Sequence, residues 1–237
     1  MFDFSRFEAV EGGVNVTGLK GGGLPFFLSS YWAFKRSTLL FIAESHREAE
    51  NLVSDLSFFL PDLKDRILYY AGWESHPFDT YSPHPEIIMS RLKVLYHLLQ
   101  ERDLLVISTV DALMQRVIPR EVLIDRTLFL KEGGEIDRDK LIRELSENGY
   151  QRVETVEDKG TFSVKGGILD LFTPLSPVPY RLEFVGDEIE TIRTFDPATQ
   201  RSLQKDIPEI AVIPAREIIY GDTYMEQALE AIKRHAD

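Results

Sequence analysis

The sequence predicts an α/β protein, in which a parallel-sheet domain with a degenerate, P-loop-like segment is combined with a small α+β domain of antiparallel strands. From residue 14 to about residue 117, short apolar runs alternate with segments of helical periodicity, which is typical of a mostly parallel sheet. After Asp125 this alternation stops and the turn signals of hairpins take over. A glycine-rich segment, Gly18–Gly23, also follows the first apolar run, where a phosphate-binding loop would stand.

The first domain, residues 1–125, is predicted to contain four strands with helices between them. The helix after Ser45 begins with a capping box, because Ser45 and Glu48 have the spacing that satisfies amide groups of a first helical turn. A later helix begins at Pro85 or Glu86 and carries a wide apolar stripe. The predicted core face of the helix after Ser45 is Leu52, Val53, Leu56 and Phe59. The predicted strands are Val14–Thr17, Thr38–Ala43, Ile67–Tyr70 and Leu104–Ser108.

The second domain, residues 126–212, is predicted to be a small antiparallel sheet with one helix. The helix covers Asp137–Asn148 and ends at Gly149, a residue that tolerates a left-handed backbone. Turns are predicted at Asp158–Gly160 and at Gly186–Asp187. The strands that these turns connect are Gln151–Val156 with Thr161–Lys165, and Tyr180–Val185 with Ile189–Phe195.

Alternation along two of these strands predicts which side chains face the core. In the strand Thr161–Lys165, Phe162 and Val164 are expected to be buried, and the other three residues to be exposed. In the strand Tyr180–Val185, one face consists of Tyr180, Leu182 and Phe184, and the other of Arg181, Glu183 and Val185.

The composition argues against an autonomous DNA-binding domain. The formal net charge is −12 over 237 residues, and no segment forms the cluster of Lys and Arg that phosphate contacts require. A protein partner is therefore the better expectation. The chain has no cysteine, and we expect a cytoplasmic protein without a membrane contact, because neither a signal peptide nor an apolar run of spanning length is present. Residues 213–237 contain a further helical pattern, Thr223–Ala236.

The glycine-rich segment has the glycine spacing of a nucleotide-binding P-loop without its functional side chains. A working loop ends in Lys followed by Ser or Thr, which bind phosphate and magnesium. Here Leu24 and Pro25 occupy these two positions, after Gly18 and Gly23. Rescue by Lys20 is an alternative, although Lys20 precedes the second glycine. We therefore predict no nucleotide hydrolysis, no catalytic residue and no cofactor in this chain.

Several segments, in this order and spacing, resemble the UvrB-homology region found at the N-terminus of bacterial transcription-repair coupling factors. The resemblance covers nearly the whole chain. It is carried by the degenerate loop and by the segments Gly72–Glu74, Pro77–Asp79, Ser82–His84, Leu113–Arg116, Gly149–Val153, Lys165–Phe172, Pro179–Phe184 and Asp187–Ile189. The excision-repair subunit UvrB itself is similar, but its family has an intact P-loop and a long DNA-binding hairpin, for which the connection from Trp73 to Glu86 is too short.

The resemblance implies a helicase-type first domain similar to UvrB domain 1A, with an inserted domain similar to UvrB domain 2. Residues 213–237 would then begin a part similar to domain 1B. The second domain would bind UvrA in transcription-coupled nucleotide excision repair, and other domains of the parent protein would contact this region intramolecularly. ATP and Mg²⁺, RNA polymerase and duplex DNA would bind only to parts of the parent, an ATP-dependent DNA translocase, that lie outside this sequence.

The UvrA-binding positions implied by the resemblance lie on the strands of the second domain. The family pattern often has arginine where Lys165 stands and an aromatic residue where Val185 stands, which predicts a weaker contact. The alternative for these residues is a solvated strand that carries charges without a partner. The implied positions are Lys165, Arg181, Glu183, Val185 and Arg193.

Two further functions remain open as alternatives. The first is a nucleotide-binding fragment of a UvrB-type helicase, which rests on Gly18–Gly23. The second is direct binding of DNA, for which Trp73, Phe78, Tyr81 and His84 could stack on bases, although Glu74, Asp79 and Glu86 surround them with negative charge. The five histidines show no paired ligand spacing, so we expect no metal site.

Overall fold

A computed structural model describes residue 4 and residues 13–74, 82–204, 206–219 and 233. The chain divides into two compact units. The first consists of Met1–Glu74 and His97–Arg116, and the second of Ser75–Tyr96 and Val117–Asp237. The correspondence of these units to UvrB domains 1A, 2 and 1B remains a prediction. The predicted helix Thr223–Ala236 lies outside the described residues, apart from Lys233.

The first unit contains a three-stranded parallel sheet in the order β1-β3-β2. Both outer strands run parallel to β3, so that Leu39 and Ile67 each lie opposite Leu105. A short 3-10 helix, Pro61–Arg66, precedes β2, and α3 is shared between the two units. The elements are α1 Gly23–Lys35, β1 Leu39–Ala43, α2 His46–Phe59, β2 Ile67–Tyr70, α3 Pro85–Gln100, β3 Leu105–Thr109 and α4 Val110–Met114.

Helix α2 confirms the predicted cap and most of the predicted core face. The Ser45 hydroxyl accepts a hydrogen bond from the Glu48 amide at 3.2 Å, and the Glu48 carboxylate accepts one from the Glu44 amide. Leu52 and Leu56 are buried, and the partly buried Val53 packs against the same core. The prediction for Phe59 is wrong, because this ring is 37% exposed.

The predicted strand Val14–Thr17 is absent. Residues 13–20 have no regular structure and are mostly exposed, and no described strand pairs with them. Alternating valines are compatible with a strand, but glycines at positions 13 and 18 flank this segment and weaken it. In α3 the buried residues are Met89, Arg91, Leu92 and Val94, so the apolar stripe read from the sequence describes only part of the buried face.

The second unit is built on a five-stranded sheet in the order β5-β6-β7-β8-β9, with a separate antiparallel pair β4-β10. Its strands β6 and β8 coincide with the predicted ones, whereas β4, β7 and β10 were not predicted. The elements are α5 Arg120–Asp125, β4 Leu128–Lys131, α6 Arg138–Glu147, β5 Gln151–Arg152, β6 Thr161–Lys165, β7 Ile168–Phe172, β8 Tyr180–Val185, β9 Glu188–Thr194 and β10 Glu209–Val212.

Strand β5 corrects the predicted hairpin at Asp158–Gly160. Only Gln151–Arg152 form a strand, and this strand runs parallel to β6, with Gln151 opposite Thr161. The predicted turn is present, since Gly160 has a φ of 75°. The intervening residues 153–160 form a wide loop that returns the chain to the start of β6, and a parallel pair needs such a return instead of a tight turn.

The core of the second unit lies between one face of this sheet and α6. Leu169, Leu182 and Ile192 are fully buried there together with Leu141 and Leu145 of α6. Helix α6 begins one residue after Asp137, the predicted first residue of this helix, and Asp137 is its N-cap, whose carboxylate accepts a hydrogen bond from the Lys140 amide at 2.9 Å. Complete burial of such side chains stabilises the unit by roughly 1.5–3 kcal/mol each.

The opposite face of the sheet is partly covered, which the alternation did not predict. A second, smaller apolar cluster contains Val156, Phe172 and Phe195. Ser163, predicted to be exposed, is buried and lies opposite Asp170 in the β6–β7 ladder. The open part of this face is therefore limited to the other end of the strands.

Candidate protein-recognition face

One face of the five-stranded sheet points away from α6, and we call it the outer face. Strand pairing brings its side chains together, because Arg181 lies opposite Asp170 on one side and Arg193 on the other. Glu183 lies opposite Thr191 of β9. Beside the small apolar cluster that covers part of it, the outer face carries Lys165, Ile168, Asp170, Arg181, Glu183, Val185, Thr191 and Arg193.

Arg181 is held by a bidentate ion pair with Asp170. Its Nε donates to Oδ1 at 2.6 Å and its Nη2 to Oδ2 at 2.7 Å. The guanidinium also lies 4.5 Å from the centre of the Phe195 ring, a cation–π distance. The hydrogen bond to Asp170 raises the pKa of Arg181 further above its usual value. This arginine is therefore charged and fixed in orientation.

Glu183 and Arg193 form a second cross-strand ion pair beside the first. The Arg193 Nη2 donates to Glu183 Oε1, and the Thr191 hydroxyl donates to Glu183 Oε2 at 3.2 Å. The Arg193 side chain is 25% exposed and the Glu183 side chain is 30% exposed. The two pairs form a row of alternating charge across strands β7, β8 and β9.

Lys165 and Val185 provide the most accessible part of the outer face. Val185 is 62% exposed, and the exposed Lys165 makes no hydrogen bond or ion pair with the residues that the structure describes. Lys165 lies opposite the half-buried Ile168. The face thus combines a free ammonium group, one exposed and one half-buried apolar side chain, and a row of paired charges, a combination suited to a protein partner.

The structure brings together the five positions that the resemblance implied, and it adds Asp170. Sequence reasoning missed this residue because β7 was not predicted as a strand. If Ile168–Phe172 is read as a strand, Asp170 falls on the face opposite Leu169 and Leu171, next to Arg181. The role of these residues in binding UvrA remains a prediction.

The segment that resembles a phosphate loop lies in the first unit and leads directly into α1. Lys20 is exposed, and its carbonyl accepts a hydrogen bond from the Gly23 amide at 3.0 Å. Gly18 adopts a left-handed backbone with a φ of 81°. Gly23 is the first residue of α1, Leu24 packs against the core of the first unit, and Pro25 is buried in the first helical turn, where proline is tolerated. Degeneration from a nucleotide site remains a prediction.

A polar cluster that the sequence did not indicate lies where the three parallel strands end. His46 Nδ1 is 2.9 Å from the Tyr69 hydroxyl, and its Nε2 is 3.0 Å from Asp111 Oδ2. Burial, together with the charge of Glu50, raises the pKa of Tyr69 to about 12. Carboxyl ends of parallel strands often bind ligands. Here the three side chains satisfy one another.

The proposed base-stacking residues do not form a described site. The Trp73 amide donates to Gln115 Oε1 at 3.1 Å, which fixes the start of this loop, and His84 is exposed. Phe78 and Tyr81 lie outside the described residues. Within the described part of the chain, no group of three or more metal-binding side chains is present, and no helix is long and apolar enough to cross a membrane.

Comparison with known proteins matches the part of the second unit that contains its sheets to a protein family. Residues 128–218 match the model of the UvrB interaction domain. This range includes all strands of the five-stranded sheet and the β4–β10 pair. The outer face therefore belongs to the part of the chain that carries the family signature.

Curated relatives extend the similarity over most of the chain. A transcription-repair-coupling factor of Myxococcus xanthus is 38% identical over 229 residues, which is 94% of this chain and 19% of that protein. One of Haemophilus influenzae is 41% identical over 172 residues, 72% of this chain and 15% of that protein. The UvrABC system protein B of Bifidobacterium longum is 29% identical over 246 residues, covering 98% of this chain and 34% of that protein. This chain thus spans 15–19% of the length of these two coupling factors, and it is a UvrB-like module of the transcription-repair coupling factor family.

Proposed function

We propose that this chain binds UvrA through the outer face of its second unit and so recruits UvrA during transcription-coupled nucleotide excision repair. The observation that carries the proposal is the outer face itself: a sheet inside a UvrB interaction domain that leaves charged and apolar side chains open on one side. The name of the domain agrees with an interaction role. The acidic composition, with a net charge of −12, favours a protein over DNA as the partner.

The proposal gives this chain no catalytic role. Leu24 and Pro25 stand where a phosphate loop has its Lys and Ser or Thr, so we expect no nucleotide hydrolysis here. ATP with Mg²⁺, RNA polymerase and duplex DNA are proposed to bind other parts of a cytoplasmic parent protein, a DNA translocase. Intramolecular contacts with those parts are proposed to regulate access to the outer face.

Calorimetric titration of the chain into UvrA tests the proposal. Arg181→Ala removes the central charge of the outer face, and we expect at least about tenfold weaker binding, on the order of 1.4 kcal/mol. The matched control is Arg143→Ala, because Arg143 is an arginine of the second unit that is exposed on α6, away from the outer face. The control variant should bind UvrA like the unaltered chain.

Three outcomes separate the alternatives. Loss of affinity with Arg181→Ala alone supports binding through the outer face. Equal loss with Arg143→Ala would place the contact elsewhere on the second unit. No binding by the unaltered chain at tens of micromolar would contradict recruitment of UvrA by this module.

A further inference from the structure

We propose that Asp170 is a positioning residue of the outer face, which holds the Arg181 guanidinium against the Phe195 ring in the orientation that a partner meets. The inference deepens the proposed UvrA-binding function and rests on it. Asp170 itself is nearly buried, with 9% of its side chain exposed, whereas 18% of the Arg181 side chain is exposed. Asp170 therefore acts from below the surface and Arg181 at the surface.

The contacts of Arg181 leave one edge of the guanidinium for a partner. A guanidinium has five N–H donors. Nε and Nη2 donate to the two carboxylate oxygens of Asp170, and Nη2 also lies 3.4 Å from Gln200 Oε1. Within the described residues, Nη1 has no hydrogen-bond partner. Its two N–H groups are directed away from Asp170, and a carboxylate or carbonyl oxygen of the partner is the chemical group that they fit.

The Phe195 ring and the surrounding loop fix the plane of the guanidinium. Phe195 is fully buried in the small cluster with Val156 and Phe172, so it forms a rigid support. The Gln200 side chain, which faces Arg181, donates to the carbonyls of Pro197 and Val156. Arg181 is therefore limited in both plane and direction before any partner arrives.

The neighbouring ion pair keeps Asp170 and Arg181 from exchanging partners. Glu183, the next residue of β8 on this face, is bound by Arg193 and Thr191 on the β9 side. Its carboxylate is thus occupied and does not compete with Asp170 for Arg181. Ordering a long arginine side chain opposes binding, and a face that orders it in the free protein avoids this loss upon association.

A double-mutant cycle with UvrA tests the inference. Asp170→Asn keeps the side-chain size but removes the charge and one acceptor oxygen, and we expect about tenfold weaker UvrA binding, as for loss of a charge-assisted contact. In an Arg181→Ala background, the same substitution should cause no further loss. The control is Asp139→Asn, since Asp139 is an exposed carboxylate on the first turn of α6 and should leave binding unchanged.

A second readout follows Arg181 directly in the free chain. Nitrogen-15 NMR should show the Arg181 Nε–H group exchanging slowly with water in the unaltered chain and in Asp139→Asn, and rapidly in Asp170→Asn. Thermal unfolding of each variant serves as a control for a general loss of structure. Such a loss would lower the melting temperature and would also change many NMR signals, not the Arg181 signal alone.

The outcomes are distinct for the inference and for the proposed function. Weakening that requires Arg181, together with release of its Nε–H group, supports a positioning role. Weakening of equal size with and without Arg181, or no weakening, would overturn it. Failure of the unaltered chain to bind UvrA would contradict the proposed function, and the positioning role in recognition would fall with it, even if the NMR signal showed an intact ion pair.

Discussion

The parallel sheet of the first unit and the five-stranded sheet of the second unit use their faces in different ways. In the parallel sheet of the first unit, β3 buries all five of its residues, so both faces of its central strand are covered. In the second unit, β8 buries Leu182 and Phe184 but leaves Arg181, Glu183 and Val185 on an open side.

A strand buried on both faces stabilises its fold, whereas a strand with one open face also offers a surface to a partner. The edge strand β1 of the first unit exposes only the apolar Leu40 and Ile42, while the open side of β8 carries charged and apolar side chains together. This difference is one reason for proposing that UvrA contacts the five-stranded sheet.

The largest losses in the free energy of unfolding are expected from substitutions in the buried strands of the two sheets. Ile107→Ala in β3 and Leu182→Ala in β8 should each cost about 2–5 kcal/mol, because both side chains are fully buried. Val185→Ala should cost less than about 0.5 kcal/mol in stability, since this side chain faces solvent.

Native-state hydrogen exchange measures these losses separately in each unit. Both tryptophans, Trp32 and Trp73, belong to the first unit, so tryptophan fluorescence reports on that unit alone. A loss of several kcal/mol with Val185→Ala would mean that the outer face is a covered face, and the comparison between the two sheets would fail.

Replacing a glycine that has a left-handed backbone by alanine should destabilise the second unit at Gly149 more than the first unit at Gly18. Gly149 has a φ of 87°, and an added Cβ would lie 2.5 Å from Cγ of Arg216. Gly18 has a φ of 81° but open space around it. Gly149→Ala should therefore cost more than the roughly 1–3 kcal/mol of backbone strain expected at either position. Thermal unfolding of both variants checks the order, which equal losses would contradict.

The helix caps should behave alike in the two units, because they depend on local geometry. Ser45 caps α2 and Asp137 caps α6, each through one hydrogen bond to an amide of the first turn. Ser45→Ala and Asp137→Ala should each cost about 1 kcal/mol. Urea denaturation measures both, with Asp137→Asn as a control that retains a capping side chain. A cap without effect in one unit would show that tertiary contacts hold that helix instead.

The smallest expected effect is a dependence on pH in the loop that covers part of the outer face. Asp196 accepts hydrogen bonds from the Thr199 amide at 2.7 Å and the Thr199 hydroxyl at 2.9 Å, and these bonds lower its pKa below the usual value. A lowered pKa in the folded state means that the bonds stabilise the loop above the unfolded pKa and are lost as the pH falls through the folded value. Carbon-13 titration of the carboxyl group checks this, and a pKa at or above 3.8 would contradict it.

The sequence predicted strand β8 better than the strands around it. Simple alternation placed the residues of β8 on their observed faces, because one side of that strand is core and the other is polar. Strand β7 gave no such pattern, since Leu169 and Leu171 face the main core while Phe172 joins the small cluster on the other side. Asp170 was missed for this reason.

The sequence also failed to predict which strands pair with each other and in which direction. The segment Asp158–Gly160 has the composition of a hairpin turn, yet β5 pairs parallel to β6, and nothing local distinguishes a tight turn from the end of a wide loop. The valines of Val14–Thr17 suggested a strand in the same way. Without a neighbouring strand among the described residues, this pattern leads to no regular structure.

A cysteine footprint tests the central claim most directly, because the chain has no cysteine of its own. Val185→Cys places one thiol on the outer face, and Ser146→Cys places one on the exposed side of α6. With saturating UvrA, the rate of thiol alkylation, followed by mass spectrometry of the chain, should fall for Val185→Cys and stay unchanged for Ser146→Cys. Unchanged alkylation of Val185→Cys in a complex that demonstrably forms would contradict recognition through the outer face.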